Sequence, residues 1–284
     1  MILHPIEAGN FKLDGGAMFG VVPKALWQKT NPSDSNNMID VSARCLIVEN
    51  GNKLVLIDAG MGDKQSEKFF SYYSRWGDYS LVKSINSAGF SVDEITDVFI
   101  THLHFDHCGG ASFYNKKTGL NELLFKNAKY WSNESHWSWA KNPNSREKAS
   151  FLKENLMPIE VSGQLNFIKS DQKGFNYCSD LGFEVLMVNG HTEKQMIPKI
   201  SFKGKDLVFA ADLVPTAGHI PVPYVMGYDV RPLTTMKEKA AFLDLAVEKD
   251  YLLFMEHDAH NQVLSLKKTE KGVRLNRVFN FDEI

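Results

Sequence analysis

The stretch Thr101-His102-Leu103-His104-Phe105-Asp106-His107 follows directly after the apolar run Val98-Phe99-Ile100. The run predicts a strand, and the polar stretch predicts the turn at its end. Because alternate side chains of an extended segment share a face, His102 and His104 can bind one metal ion together. The acid and the third histidine lie past the bend and point toward a second ion. The spacing therefore suits two ions.

Three later apolar runs also end in metal-binding side chains. They lead to His191, to Asp212 and to His257. Nitrogen and oxygen donors without thiolate are accepted by zinc, manganese, iron and cobalt, and the sequence does not choose among these metals. The alternative, that the histidines are solvated or fill a core, is disfavoured because five of the nine histidines lie in such segments.

These motifs resemble those of the metallo-β-lactamase superfamily: HxHxDH at 102–107, GHT at 190–192, AAD at 210–212 and HD at 257–258. The resemblance implies an α/β fold, the αβ/βα sandwich of two mixed β-sheets flanked by helices, in a single domain over residues 1–284. It also implies a set of metal ligands: His102, His104 and His191 for one ion, Asp106, His107 and His257 for the other, and Asp212 as the bridge between the ions. Asp58 would support the ligand histidines from behind by hydrogen bonding, without binding metal itself.

The implied reaction is hydrolysis without a serine or cysteine nucleophile. Two divalent ions a few ångström apart lower the pKa of a shared water, so that hydroxide is available near neutral pH, and they polarise the electrophile. Asp212 would fix the separation of the ions, and Asp106 would orient the hydroxide by hydrogen bonding. These two acids are the candidate catalytic residues, and zinc is the expected ion.

Two segments resemble substrate-binding parts of the lactonase-like members, which include N-acyl-homoserine lactonases and organophosphate hydrolases. In residues 11–27, Met18 and Phe19 are candidates to line an acyl-chain pocket, although the same residues can simply pack a hairpin. Lactonases place a tyrosine three residues beyond the bridging aspartate, where this chain has Pro215. His219 and Tyr224 are the candidates to contact the substrate in its place.

The expected activity is the opening of a lactone ring, with N-acyl-homoserine lactone (quorum quenching) as the leading substrate. A phosphotriesterase or aryl-ester hydrolase is the alternative, because the same hydroxide attacks phosphorus and carbon centres. A glutathione-thioester hydrolase is disfavoured, since no basic C-terminal cluster suits a glutathione carboxylate. A β-lactamase is disfavoured because those enzymes are exported and commonly lack this full histidine set. A redox diiron protein is disfavoured because no flavin domain is expected.

Composition bounds the partners and the compartment. The 284 residues are 43% hydrophobic, which is enough for a sizeable core. The net charge of -2 does not favour binding to nucleic acid. No signal peptide or run of eighteen apolar residues is found, which favours a cytoplasmic protein away from membranes. The odd number of cysteines fits a reducing compartment, with Cys108 expected as a small buried residue. The aromatic residues of 11–27, expected to be exposed, suggest a homodimer.

The patterns also predict individual elements. Residues 43–48 and 54–57 form a predicted hairpin, and residues 95–100 a strand. Helical spacing predicts helices over residues 65–76, 81–88, 146–155 and 235–249. His136 matches no metal motif and is expected on the surface or as a local cap.

Overall fold

A computed structural model describes residues 1–169 and 173–284. Its contacts divide the chain into two compact units, and each unit is assembled from two stretches of sequence. The first unit comprises Met1–Asn10 and Ala43–Gly182, and the second comprises Phe11–Ser42 and Phe183–Ile284. The prediction of a single domain stays a prediction.

The described chain contains both strands and helices throughout. The strands are β1 (Ile2–Asp14), β2 (Met38–Asn50), β3 (Lys53–Ile57), β4 (Asp97–Phe99), β5 (Ser112–Asn115), β6 (Leu120–Leu123), β7 (Lys129–Ser132), β8 (Leu165–Phe167), β9 (Asn176–Cys178), β10 (Phe183–Val188), β11 (Gln195–Phe202), β12 (Lys205–Phe209), β13 (Leu252–Phe254), β14 (Val263–Thr269) and β15 (Gly272–Phe279). The α-helices are α1 (Gly15–Phe19), α2 (Lys24–Trp27), α3 (Glu67–Ser71), α4 (Leu81–Ser87), α5 (Phe105–Cys108), α6 (Glu134–Lys141), α7 (Lys153–Val161) and α8 (Pro232–Glu248).

A six-stranded sheet has the order β1-β2-β3-β4-β7-β8. The predicted hairpin is confirmed, because β2 and β3 pair antiparallel up to Asn50 and Lys53. Gly51 turns the chain between them with a left-handed φ of 63°, which glycine adopts without strain. The next strands run parallel, and β4 stops at Phe99, just before the histidine motif. The strand thus fixes the point where the first donors leave the sheet.

A seven-stranded sheet has the order β15-β14-β13-β12-β11-β10-β9. Its central strands β12 and β13 are parallel, so their carboxyl ends lie at the same edge of the sheet. The strand β12 leads to Asp212, and β13 leads to His257. Helix α8 buries an apolar stripe that includes Phe242, Leu243 and Ala246. This arrangement brings two distant donors to one edge.

The predicted α/β class with two mixed sheets and helices is confirmed. The predicted helix at 81–88 is present as α4, and that at 235–249 is present as α8. The helix expected over 65–76 is only five residues long, and the one expected over 146–155 begins at Lys153. Among the described residues, no helix has the length and apolar character that crossing a membrane requires.

Candidate metal centre

Asp58 organises the donors of the first unit. It follows β3 with a φ of 57°, and its carboxylate is completely buried. The carboxylate accepts hydrogen bonds from the backbone N–H of Thr101 at 2.7 Å and from its hydroxyl at 2.6 Å. The same carboxylate accepts from Nδ1 of His107 at 3.0 Å. One acid therefore holds both ends of the histidine motif.

The two histidines at the start of the motif direct acceptor nitrogens toward each other. The Thr101 hydroxyl donates to Asp58, so its oxygen accepts from Nδ1 of His102 at 3.1 Å. The carboxylate of Glu147 can only accept, so Nε2 of His104, 3.3 Å away, is the donor. Nε2 of His102 and Nδ1 of His104 then face each other as acceptors at 3.1 Å. Two lone pairs this close fit a shared cation.

The rest of the motif lies on the short helix α5. Because Nδ1 of His107 donates to Asp58, its Nε2 is the acceptor nitrogen. It lies 3.9 Å from Oδ1 of Asp106, which is also an acceptor. The first unit thus holds two separate pairs of metal-type donors.

Asp212 lies between two histidines of the second unit. Its Oδ2 is 3.1 Å from Nε2 of His191, and its Oδ1 is 3.0 Å from Nε2 of His257. Nδ1 of His191 contacts Oδ1 of Asp229 at 2.9 Å, and Nδ1 of His257 contacts the Ser42 carbonyl at 2.8 Å. Because those partners only accept, both Nε2 atoms face Asp212 as acceptors. A carboxylate between two acceptors fits a cation on each side.

Local backbone contacts fix this second donor set. Glu238 of α8 accepts the backbone N–H of Gly190 at 2.9 Å and that of Asn189 at 2.9 and 3.0 Å, which holds the turn before His191. Ser42 also donates its hydroxyl to the carbonyl of Glu256 at 2.7 Å, next to His257. The turn after β12 places Ala211 at a φ of 41°, directly before Asp212. These contacts therefore fix the backbone next to His191 and His257.

The predicted substrate residues of 11–27 are buried, contrary to the expectation of an exposed aromatic loop. Met18 is 1% exposed and Phe19 is 0% exposed. The Phe19 ring stacks on Trp27 at 5.4 Å and on His219 at 4.1 Å, while the half-buried Tyr224 meets its edge at 6.4 Å. Their roles toward a substrate stay predictions. The homodimer was expected from exposed rings in this segment, and it too stays a prediction.

His219 contacts protein atoms through both ring nitrogens. Its Nδ1 lies 2.8 Å from the Thr216 hydroxyl, and its Nε2 donates to the Met18 carbonyl at 2.8 Å. Burial lowers the pKa of His219 to about 3, so the ring is neutral. The amino group of the buried Lys239 donates to the carbonyls of His219, Pro221 and Tyr224.

Sequence patterns missed three residues that contact the histidine motif or His191: Asp229, His136 and Glu147. His136 was expected on the surface, but it is completely buried on α6 and accepts the backbone N–H of Leu103 at 2.8 Å. The expectation was wrong because the partner of this ring lies far away in sequence. By contrast, Cys108 is buried as predicted, and burial raises the pKa of its thiol to about 12.

Comparisons with solved structures give several close likenesses. A probable metal-dependent hydrolase from Staphylococcus aureus is 26% identical with a TM-score of 0.84, and 98% of each chain is covered. AidC, a dizinc quorum-quenching lactonase with its product bound, is 21% identical with a TM-score of 0.78, over 98% of this chain and 95% of that one. A variant of AiiA from B. thuringiensis with N-decanoyl-L-homoserine bound is 17% identical with a TM-score of 0.67, over 90% and 93%. The last two likenesses show the fold alone.

Sequence comparisons add a partial relative and a family. The Integrator complex subunit 11 homolog of Dictyostelium discoideum is 37% identical over 90 residues, which are 30% of this chain and only 10% of that relative. Residues 39–257 match the model of the Metallo-beta-lactamase superfamily. The matched range contains every donor described above, from Asp58 to His257, and the chain therefore belongs to the metallo-beta-lactamase superfamily.

Proposed function

We propose that this metal-dependent hydrolase of the metallo-beta-lactamase superfamily opens lactone rings, with N-acyl-homoserine lactone as its substrate. The proposed cofactors are two divalent ions, and zinc is the metal that we propose first. The observation that carries the metal requirement is the geometry of the donors in each unit. Acceptor atoms face each other at 3.1 Å between His102 and His104, and Asp212 faces two acceptor nitrogens at 3.0 and 3.1 Å.

The proposed ligand assignment is the one that the resemblance to the superfamily implies. His102, His104 and His191 bind one ion, Asp106, His107 and His257 bind the other, and Asp212 is shared. Each ligand histidine already has its outer nitrogen held by an oxygen acceptor or a hydroxyl, which fixes the tautomer for metal binding.

When bound, such a pair of ions polarises a carbonyl and activates water for attack near neutral pH. The protein supplies orientation. Asp212 holds the spacing of the histidines, and Asp106 accepts a hydrogen bond from the attacking water. Attack on the lactone carbonyl breaks the ring C–O bond, and the product carries a carboxylate and a hydroxyl group. No serine or cysteine nucleophile takes part.

The lactone assignment has two kinds of support. Solved structures similar to this chain include a quorum-quenching lactonase and an N-acyl homoserine lactone hydrolase, each with an N-acyl-homoserine product bound. The chain also resembles that group in residues 11–27 and after Asp212. Pro215 stands where lactonases have a tyrosine, so Tyr224 is the phenol that we propose to contact the substrate carbonyl.

The proposal is tested by measuring kcat/KM of the zinc-loaded protein on a panel of substrates. The panel contains short and long N-acyl-homoserine lactones, simple γ-lactones, aryl esters, paraoxon and a glutathione thioester. We expect homoserine lactones to be turned over far faster than the rest, and Asp212→Ala to abolish turnover. Inert lactones beside rapid hydrolysis of paraoxon or an aryl ester would replace the lactonase by the phosphotriesterase or aryl-ester alternative.

A further inference from the structure

We infer that Glu147 is a positioning residue that sets the affinity of the ion bound by His102 and His104, an inference that rests on the proposed metal centre. Glu147 lies between α6 and α7 and is 3% exposed. Its Oε1 is 3.3 Å from Nε2 of His104, the nitrogen on the far side of the ring from the acceptor Nδ1. A buried carboxylate therefore faces the outer edge of a ligand.

The other oxygen of Glu147 is held by its own neighbours. Oε2 accepts from the indole N–H of Trp139 at 2.7 Å and from the side-chain amide of Asn144 at 2.5 Å. A buried charge is tolerated when hydrogen bonds compensate its lost hydration. These donors also fix the rotation of the carboxylate, so that Oε1 is aimed at His104.

The same segment, residues 133–151, holds the histidine motif at a second point. His136 accepts the backbone N–H of Leu103, the residue between the two histidines, at 2.8 Å. The ring of Phe151 packs against His104 at 4.9 Å and against His136 at 5.9 Å. The segment therefore fixes both the backbone and one side chain of the His102–His104 pair.

A hydrogen bond to a carboxylate affects metal binding in two ways. It selects the tautomer in which Nε2 of His104 carries the proton, and it makes Nδ1 a stronger donor to a cation. His107 and His191 have carboxylate partners in Asp58 and Asp229, whereas His257 contacts a backbone carbonyl. Glu147 gives His104 the same assistance, from a segment that no metal motif marks.

The test is the zinc affinity of Glu147→Gln, measured without substrate by competition with a chelator. The amide keeps the size of the side chain but removes the charge, and an N–H directed at His104 would conflict with the proton on Nε2. We expect one of the two ions to bind about 10- to 100-fold more weakly. At limiting free zinc, the tightly bound metal should fall from two ions to one per chain, while the second affinity stays unchanged.

Glu134→Gln is the matched control, because Glu134 is an exposed glutamate of the same segment and should keep wild-type affinity. Trp139→Phe is the second variant: it keeps the carboxylate, removes one donor that aims it, and should give a smaller loss. The visible spectrum of cobalt-loaded protein should shift in Glu147→Gln and not in the control. Circular dichroism verifies that the variants are folded.

Wild-type zinc affinity and an unchanged cobalt spectrum in Glu147→Gln would overturn the inference. A wild-type chain that binds no metal pair would overturn both this inference and the proposed metal centre. If lactones are inert while the affinity of Glu147→Gln falls as expected, only the substrate assignment fails, because the zinc measurement contains no substrate.

Discussion

A histidine in this protein is defined by what its two ring nitrogens contact. In the proposed ligand histidines, one ring nitrogen contacts an acceptor or a hydroxyl and the other faces another candidate metal ligand. In His219, by contrast, Thr216 and the Met18 carbonyl contact both nitrogens, and Phe19 covers the ring face. His219 is therefore a neutral, buried residue that connects α1 to the turn after Asp212.

The buried state of His219 makes the stability of the fold sensitive to acid. Its pKa is lowered from 6.5 to about 3, chiefly by burial, so the unfolded chain binds more protons between these two values. The stabilisation is complete above pH 6.5 and is lost as the pH falls through this window. We expect a loss on the order of 3 kcal/mol at pH 4.

His219→Gln provides the comparison, because glutamine can keep both hydrogen bonds and does not titrate. Thermal unfolding of the two proteins is followed from pH 7 to pH 4 in the same metal-free buffer. The wild-type melting temperature should fall more steeply than that of the variant. Parallel curves would show that protonation of His219 does not limit stability.

At the scale of single residues, the sequence predicted the candidate metal ligands and the supporting acid Asp58, but not the other groups that hold the histidines. His102, His104 and His107 share one motif, and each later donor follows an apolar strand. Glu147 and Asp229 reach His104 and His191 from 43 and 38 residues away. His136 reaches the backbone N–H of Leu103 from 33 residues away. No fixed spacing marks such contacts, because only the folded chain brings these residues together.

Secondary-structure elements departed from prediction where side chains have other partners. The helix expected over 65–76 stops at Ser71, and Phe69 and Tyr73 pack against Phe105 beside the donor Asp106. In the region 146–155, the side chain of Asn144 accepts the backbone N–H groups of Arg146 and Glu147. Asn144 thereby fixes the turn in which Glu147 is directed inward, and the α-helix begins only at Lys153. Helical spacing alone could not show this side-chain contact.

The turn after α5 depends on close backbone packing. A Cβ at Gly110 would lie 2.1 Å from the carbonyl oxygen of Ala59, next to the supporting acid Asp58. Gly110→Ala should therefore force the two segments apart and destabilise the protein by about 3 kcal/mol. We also expect it to lower the zinc content, because His107 lies three residues before this glycine.

Gly89→Ala separates crowding from backbone strain. Gly89 has a φ of 92° but no atom within 4 Å of a Cβ, so its replacement should cost about 1 kcal/mol and leave zinc content unchanged. Urea unfolding and metal analysis of both variants provide the measurement. Equal stability losses with full zinc content in both would contradict the packing explanation for Gly110.

At the scale of the whole molecule, the placement of the candidate ligands after strands was predictable, because β4, β10, β12 and β13 each lead to a motif of the metallo-beta-lactamase superfamily. The composition correctly indicated a chain that buries a large apolar core. What the pattern could not give is the division into two units, each made from two separate stretches. That division depends on contacts between residues far apart in sequence.

The number of zinc ions bound per chain tests the central claim most directly. The purified wild-type protein and the Asp212→Ala variant are each saturated with zinc and freed of excess zinc by gel filtration. The zinc content of both is then measured by mass spectrometry. Two ions per wild-type chain, with a clear loss in the variant, are expected because Asp212 faces both histidines of its unit. One ion or none in the wild type, or two ions retained without Asp212, would contradict a dinuclear centre bridged by this aspartate.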